Sequence, residues 1–288
     1  MLLPKKLIVV FLLLALVSIA CGINLDLPSD LKTGPTVSEE INAPVPDAAG
    51  PVSLYLALGA GEINLEPGAE GALATGTVRY NVPDFKPIVT TEGDDVTIEQ
   101  GDLNVSGIPN FDDKVINEWD LKLANEPLNL MIKAGAYKAN YELGGLSLNR
   151  LEINDGAASV NLAFSEPNAI ELQSFEYSTG ASEVTLESLA NGNISTMTFR
   201  SGAGSYRLDF SGTLQRDLEL LIESGISRVV IVIPESVPAE VTFEGGLSDV
   251  NIFGAWEQSN SRYSQPGDGF KIEITVKMGA GSLELRNK

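Results

Sequence analysis

From residue 52 onward, apolar and polar positions alternate with a period of two, and glycines punctuate the alternation. Reading outward from such a glycine, apolar residues stand five and three positions before it, and four and six positions after it. One unit is Leu151-x-Ile153, Gly156, Val160-x-Leu162, and the next is Phe175-x-Tyr177, Gly180, Val184-x-Leu186. The rule holds again around Gly202 (Met197, Phe199, Tyr206, Leu208) and around Gly225 (Leu220, Ile222, Val229, Ile231). It holds around Gly246 (Val241, Phe243, Val250, Ile252) and Gly279 (Ile274, Val276, Leu283, Leu285). Two earlier copies obey it, around Gly59 (Leu54, Leu56, Ile63, Leu65) and Gly135 (Leu130, Ile132, Ala139, Tyr141). Alternation of this kind marks strands with one buried face. Each unit therefore predicts two short strands joined at a corner, where glycine allows positive φ or close backbone approach.

The glycines from Gly135 to Gly246 stand 21 to 24 residues apart, and Gly279 follows 33 residues later. A unit of about 22 residues cannot bury its apolar face alone, so neighbouring units must stack. The expected fold is all-β, a stacked β-repeat resembling a β-solenoid. At the usual strand spacing, seven turns make a rod about 34 Å long. We assign residues 130–288 to this stack. The long final gap contains the polar stretch from Trp256 to Tyr263, expected to project as a loop. Residues 52–129 hold the first copy and strand-like pieces at 77–80, 87–91, 95–100 and 119–123. They are expected to form an N-terminal β region that caps or flanks the stack.

Ahead of residue 52 the pattern changes twice. Lys5 and Lys6 precede an unbroken apolar run from Leu7 to Val17, followed by small residues up to Cys21. This is the layout of an export signal over residues 1–20, and the run is shorter than the roughly 20 residues of a comfortable membrane span. Ser18-Ile19-Ala20-Cys21 resembles the lipobox of bacterial lipoproteins, although Ser18 stands where that motif usually has Leu. The resemblance implies that Cys21 becomes the acylated first mature residue, attaching the chain to a membrane. Residues 21–51 are rich in Pro, Asp, Glu and Ser without a hydrophobic period, which reads as a tether.

Composition narrows the chemistry. The chain has no His and one Cys among 288 residues, so Ser-His-Asp and Cys-His nucleophile systems and His-containing metal sites cannot be assembled. An intrachain disulfide is excluded as well. The formal net charge of -20 offers no counter-charge for a phosphate backbone, so no nucleic-acid partner is expected. Carboxylates remain the candidate acid–base groups. Their adjacent pairs, Glu39-Glu40, Asp94-Asp95 and Asp112-Asp113, fall in turn or tether sequence, where solvated acids belong. Basic residues such as Lys133, Arg200, Arg207, Arg228 and Lys277 occupy outward repeat positions. No EF-hand-like or RTX-like calcium spacing occurs, and no cofactor is expected.

One outward column stands out. The residue five after the glycine is Asn in half the copies: Asn64, Asn140, Asn161 and Asn251. Such a row suits either a surface that hydrogen-bonds glycans or protein, or a ladder whose amides bond along the stack. Trp119 and Trp256 are candidates for sugar stacking or for packing at the ends.

The run Gly59-Ala60-Gly61-Glu62-Ile63-Asn64-Leu65-Glu66-Pro67-Gly68, with Thr77-Val78-Arg79-Tyr80-Asn81 and Lys86-Pro87, resembles the N-terminal domain of the bacterial toast-rack family. Later units, such as Ser201-Gly202-Ala203-Gly204-Ser205-Tyr206-Arg207-Leu208, are similar to its stacked repeats. Similar repeats occur in bacterial adhesin-like proteins and in the C-terminal domains of cell-wall-antibiotic-response proteins. The resemblance implies an all-β fold at the cell envelope and supplies no catalytic residue. The expected function is that of a non-enzymatic, exported, lipid-anchored β-repeat protein with a structural, adhesin-like or partner-binding role. Its expected partners are the membrane, through the lipid, and a cell-wall glycan or an envelope protein. The alternatives are a polysaccharide lyase or hydrolase built on a solenoid, or an envelope-stress signalling component.

Overall fold

The structure, a computed structural model, describes residues 33–47, 49–101 and 115–288. The export signal, Cys21, the first part of the tether and the Asp112-Asp113 pair lie outside the described residues. The described residues of 33–101 and 116–288 fall in one compact unit. Fifteen strands make up about two thirds of the described residues. Ahead of the main repeats come β1 (Val37–Ala43), β2 (Val52–Pro67), β3 (Ala74–Tyr80), β4 (Pro87–Glu92), β5 (Asp95–Gln100) and β6 (Asn117–Leu123). The repeats follow as β7 (Pro127–Glu142), β8 (Ser147–Ala163), β9 (Leu172–Glu187), β10 (Ile194–Asp209), β11 (Leu218–Ile233) and β12 (Ala239–Phe253). Last are β13 (Glu257–Ser259), β14 (Arg262–Gln265) and β15 (Ile272–Asn287).

Each glycine-centred unit is one strand of 15 to 17 residues running through its glycine, where the sequence predicts two short ones. The corner is nevertheless real, because the connections demand it. Only residues 143–146 join β7 to the parallel β8, and four residues reach about 18 Å at most. A straight strand of this length would separate its ends by about 50 Å. The strand must therefore fold back on itself within every rung, its two halves becoming two walls and the connector a third side.

The side-chain alternation records the bend. In β7, Leu128, Leu130, Ile132 and Ala134 are buried, then Tyr137, Ala139 and Tyr141. The phase slips by one residue at Gly135-Ala136, so both halves face the same interior across the corner, much as at a bulge. Connector residues Leu143, Leu146, Phe164, Leu189 and Phe210 close the third side and are fully buried. An aromatic file, Phe175, Tyr177, Phe199 and Tyr206, runs through this core with successive ring centroids 5.1–6.4 Å apart, within the range of favourable ring pairs.

The rungs stack in parallel in the order β2-β7-β8-β9-β10-β11-β15-β12. Equivalent positions pair throughout, as in Phe175, Met197, Leu220 and Ile274. The chain's last rung thus lies inside the stack: β15 inserts between β11 and β12, pairing in parallel with both. The segment between β12 and β15 does not project, as its polarity suggests. It forms the β14–β13 hairpin, and β14 pairs antiparallel with Ala239–Thr242 of β12. Exposed sheet edges are commonly covered in this way.

At the other end, the first wall of β2 pairs with β5 and the second with β6, both in parallel. Together β5 and β6 make a split rung. Two side chains of this rung bond the corner of β2. Gln100 Oε1 accepts the Gly59 N–H at 3.1 Å, and Asn117 Nδ2 donates to the Ala60 carbonyl at 2.5 Å. Backbone groups that a full rung would satisfy are thereby partnered. Antiparallel strands complete the cap, β4 on β5, then β3 on β6 and β1 on β3. Strand β1 lies in sequence assigned to the tether. Only Ile41 and Ala43 of it are buried, too few apolar positions to stand out among the neighbouring prolines and acids. Among the described residues, no helix is long and apolar enough to cross a membrane.

Candidate binding surface and the polar corner

The outer faces of both walls carry mostly polar side chains in rows, one residue per rung, interrupted on β11 by the buried Val230 and Val232. On the second wall, Asn64 Nδ2 donates to Asp120 Oδ1 at 2.6 Å, Asn140 donates to Asn64 at 3.0 Å, and Asn161 donates to Asn140 at 3.4 Å. Three of the four asparagines of the column thus form an amide ladder that ends on a carboxylate. Asn251 is not part of it. The insertion of β15 sets Asn251 opposite Glu284, and Thr185, Arg207 and Val230 intervene between that pair and Asn161. A second ladder that the sequence reading missed runs along the first wall, Gln173 donating to Asn149 at 2.9 Å and Asn149 to Asn129 at 2.8 Å. Spacing by repeat could have revealed Asn149 and Gln173, each seven before its glycine, but the register shift beside Asn129 leaves that residue six before its own.

Charges follow the same logic. Arg200 lies 3.7 Å from Glu176 and 3.3 Å from Glu223, and Lys277 lies 3.7 Å from Glu223. The result is a row of alternating sign along β9, β10, β11 and β15. Glu284 accepts from Arg228 and Arg286, and those hydrogen bonds hold its carboxyl below the usual range. Exposed pairs of this type contribute little each to stability. They do leave the basic residues engaged with neighbouring acids on open walls.

Inside the corner the chemistry is different. Asp155, one residue before its glycine, accepts from Tyr177 at 2.8 Å and Tyr137 at 3.3 Å, and also from Thr179. Thr179 and Ser182 share a hydrogen bond of 2.5 Å. Farther along the stack, Ser201 donates to Ser224 at 2.8 Å, and Ser224 and Ser227 share one of 2.6 Å. Tyr137 is the bulky exception among the small residues found two positions after the glycine, and its ring carries a hydroxyl to Asp155. Tyr141 lies beside this cluster, its buried hydroxyl next to Tyr137 and without a well-formed hydrogen bond among the described residues. Burial, first, and the nearby Asp155 charge push the hydroxyls of Tyr137, Tyr141 and Tyr177 well above the ordinary phenol range. The cluster joins adjacent rungs by filling the corner with partnered hydroxyls.

The remaining candidates separate. Trp119 is buried and donates its indole N–H to Asn117 at 2.8 Å, so it packs the cap and offers no ring to a sugar. Trp256 is half-buried, its indole nitrogen enclosed without a partner among the described residues. Glu39 accepts from Tyr80 at 2.9 Å and lies 3.3 Å from Lys86, while Asp94 and Asp95 occupy the exposed β4–β5 turn. Among the described residues, no three carboxylate, thiol or imidazole groups converge to hold a metal ion. An open depression of about 430 Å³ lies on the first wall between Tyr55, Thr97, Met131, Arg150 and Glu152.

Residues 32–174 match the family described as the N-terminal domain of toast_rack, DUF2154. The match begins ahead of β1 and extends into β9, so it spans the N-terminal cap and the first rungs. Among curated proteins, none matches the sequence. Solved structures with a similar course include a candidate cell-adhesion protein from Clostridium sporogenes (17% identity, TM-score 0.49, covering 88% of this chain and 100% of that one). Others are a candidate lipid-binding protein from Parabacteroides distasonis (13%, 0.42, 90% and 99%) and a candidate adhesin from Bacteroides fragilis (10%, 0.36, 89% and 99%). At these scores the likenesses carry no argument about function.

Proposed function

We propose that this chain, which carries the toast-rack N-terminal domain, is an exported envelope protein whose β stack serves as a non-enzymatic scaffold for adhesion or partner binding. The observation behind this reading is the state of the two outer walls. Their polar groups are engaged in ladders along the stack, and their depressions are open rather than enclosed. Flat arrays of exposed amides and paired charges suit contact with an extended glycan or a protein face. A catalytic pocket instead needs a few convergent groups in a concave site. In this reading Cys21 carries the lipid, and the acidic stretch after it leads to the cap that begins at β1.

Co-sedimentation of the purified chain with isolated cell walls tests the binding role. Pelleting that resists high salt is the expected result, and EDTA sensitivity would assign a calcium-dependent contact. Failure to pellet would remove the wall-binding form and direct the search to envelope proteins. Steady turnover of a polysaccharide would overturn the non-enzymatic reading. Membrane attachment is tested separately: Cys21→Ala should release the chain from the membrane, and unchanged attachment would refute acylation there.

A further inference from the structure

The two ends of the stack are finished differently. At the N-terminal end both walls of β2 are covered, by β5 with β4 and by β6 with β3 and β1. At the other end β14 covers β12 only over Ala239–Thr242. Among the described residues, the corner and second wall of β12, residues 244–253, have β15 on one side and no strand on the other. The Phe243 N–H still donates to the Ser261 carbonyl at 2.8 Å, and beyond it the unpaired side of the strand is a template for another strand. The side chains agree. Phe243, Val250 and Ile252 are only half-buried, whereas Val276, Leu283 and Leu285, their partners in β15, are fully buried. Leu247 is 86% exposed and Phe253 49% exposed.

We propose that this edge pairs with the same edge of a second copy, antiparallel about a twofold axis, joining two stacks end to end. The choice of partner rests on self-complementarity. In a twofold register centred on Val250, the valine meets its own copy. Asp249 then stands opposite Asn251 rather than opposite another acid, and Leu247 stands opposite Phe253. Each of the latter pairs occurs twice, so the most exposed apolar side chains of the edge cover one another. A head-to-tail arrangement is disfavoured, because the opposite edge of the stack ends in β1 with its exposed Glu40, while the β12 edge itself carries the exposed acids Glu244 and Asp249. Like charges across a strand pair are unfavourable, and an isologous contact closes as a dimer instead of a filament. This dimer is independent of the proposed adhesive role.

Cysteine cross-linking in the full chain tests the register, with Cys21→Ser removing the native thiol. Under mild oxidation, Val250→Cys should give a disulfide-linked dimer. Chains carrying Leu247→Cys and Phe253→Cys, co-expressed with different tags, should cross-link to each other in preference to themselves. Leu247→Lys, at a site too exposed to be needed for folding, should raise the dimer dissociation constant at least about tenfold while leaving the melting temperature of the dilute monomer unchanged. Sedimentation of the native chain should show a dimer that tightens with added salt, since screening weakens repulsion between two strongly acidic copies. A native chain that stays monomeric at every concentration and salt, or cross-links favouring another register, would overturn the proposal. So would a dimer indifferent to Leu247→Lys. If Val250→Cys fails to fold, the mixed Leu247 and Phe253 pair and the Leu247→Lys comparison decide alone.

Discussion

A Cβ placed on Gly180 would sit 2.5 Å from the Gly156 carbonyl oxygen, and one on Gly202 or Gly225 would meet the preceding glycine's oxygen at the same distance. The obstacle is backbone, which cannot swing aside, so these glycines are required by close approach. At Gly204 and Gly281, two residues after the corner, φ is +153° and +126°, a second and separate reason for glycine. Gly59 differs from the rest of its column, since a Cβ there would meet only the Gln100 side chain, at 3.4 Å. Gly180→Ala should therefore cost about 2 kcal/mol or more and Gly59→Ala within about 0.5 kcal/mol, a contrast that urea unfolding of the two variants would measure. The corner tyrosines supply another test. Their hydroxyls are held neutral by burial and by Asp155, so their raised values stabilise the fold below the free phenol value near pH 10. That stabilisation is lost as the pH rises beyond it. In an alkaline titration followed by phenolate absorbance, Tyr137, Tyr141 and Tyr177 should ionise only as the chain unfolds.

At the scale of the strand, the repeat was legible because its causes are local. A buried face imposes period two, and contact between successive corners imposes glycine, so both marks recur in every unit. Pairing order leaves no such mark. The inward residues of β12 and β15 are interchangeable in kind, and nothing in Ile274 or Leu283 says that they lie between β11 and β12. The cap was legible as strands 77–80, 87–91, 95–100 and 119–123 but not in its arrangement, since a rung split between β5 and β6 joins pieces distant in sequence. Strand β1 was hidden by its neighbours' composition. The asparagine column could be placed on the outer wall from its position between inward residues, yet its division into a ladder of three and an isolated Asn251 follows from the order of β15 and β12. Native-state hydrogen exchange should reveal that order. Amides of β8, β9 and β10, flanked by rungs on both sides, should exchange only through global unfolding. Those of residues 247–253 should be the fastest of any rung in dilute solution, and protection of this edge equal to that of β15 would contradict an open end.

For the molecule as a whole, the excess of acids sets two opposing trends with pH. With 39 acidic and 19 basic side chains, the compact stack repels itself at neutral pH, and partial protonation relieves that repulsion. Asp209 and Glu284 pull the other way. At Asp209, burial works against ionisation, but hydrogen bonds from Ser211, the Lys288 charge and the Arg207 hydrogen bond together outweigh it and lower its value. At Glu284 the hydrogen bonds from Arg286 and Arg228 do so. A carboxyl with a lowered folded value adds stability above its unfolded value near pH 4 and loses it as the pH falls through the folded value. The melting temperature should therefore rise as the pH is lowered from neutral, pass a maximum above about pH 4, and fall steeply below it. High salt should flatten the first limb, since it screens repulsion between exposed charges, and should affect less the limb governed by buried, hydrogen-bonded carboxylates. Glu284→Gln should lower the neutral-pH melting temperature, because Arg228 and Arg286 lose their shared acceptor, and should make the acid limb shallower. Thermal melts of the two proteins from pH 7 to pH 3 would measure both effects. An unchanged acid limb in the variant would show that the Arg228–Glu284–Arg286 group does not hold the last rungs together.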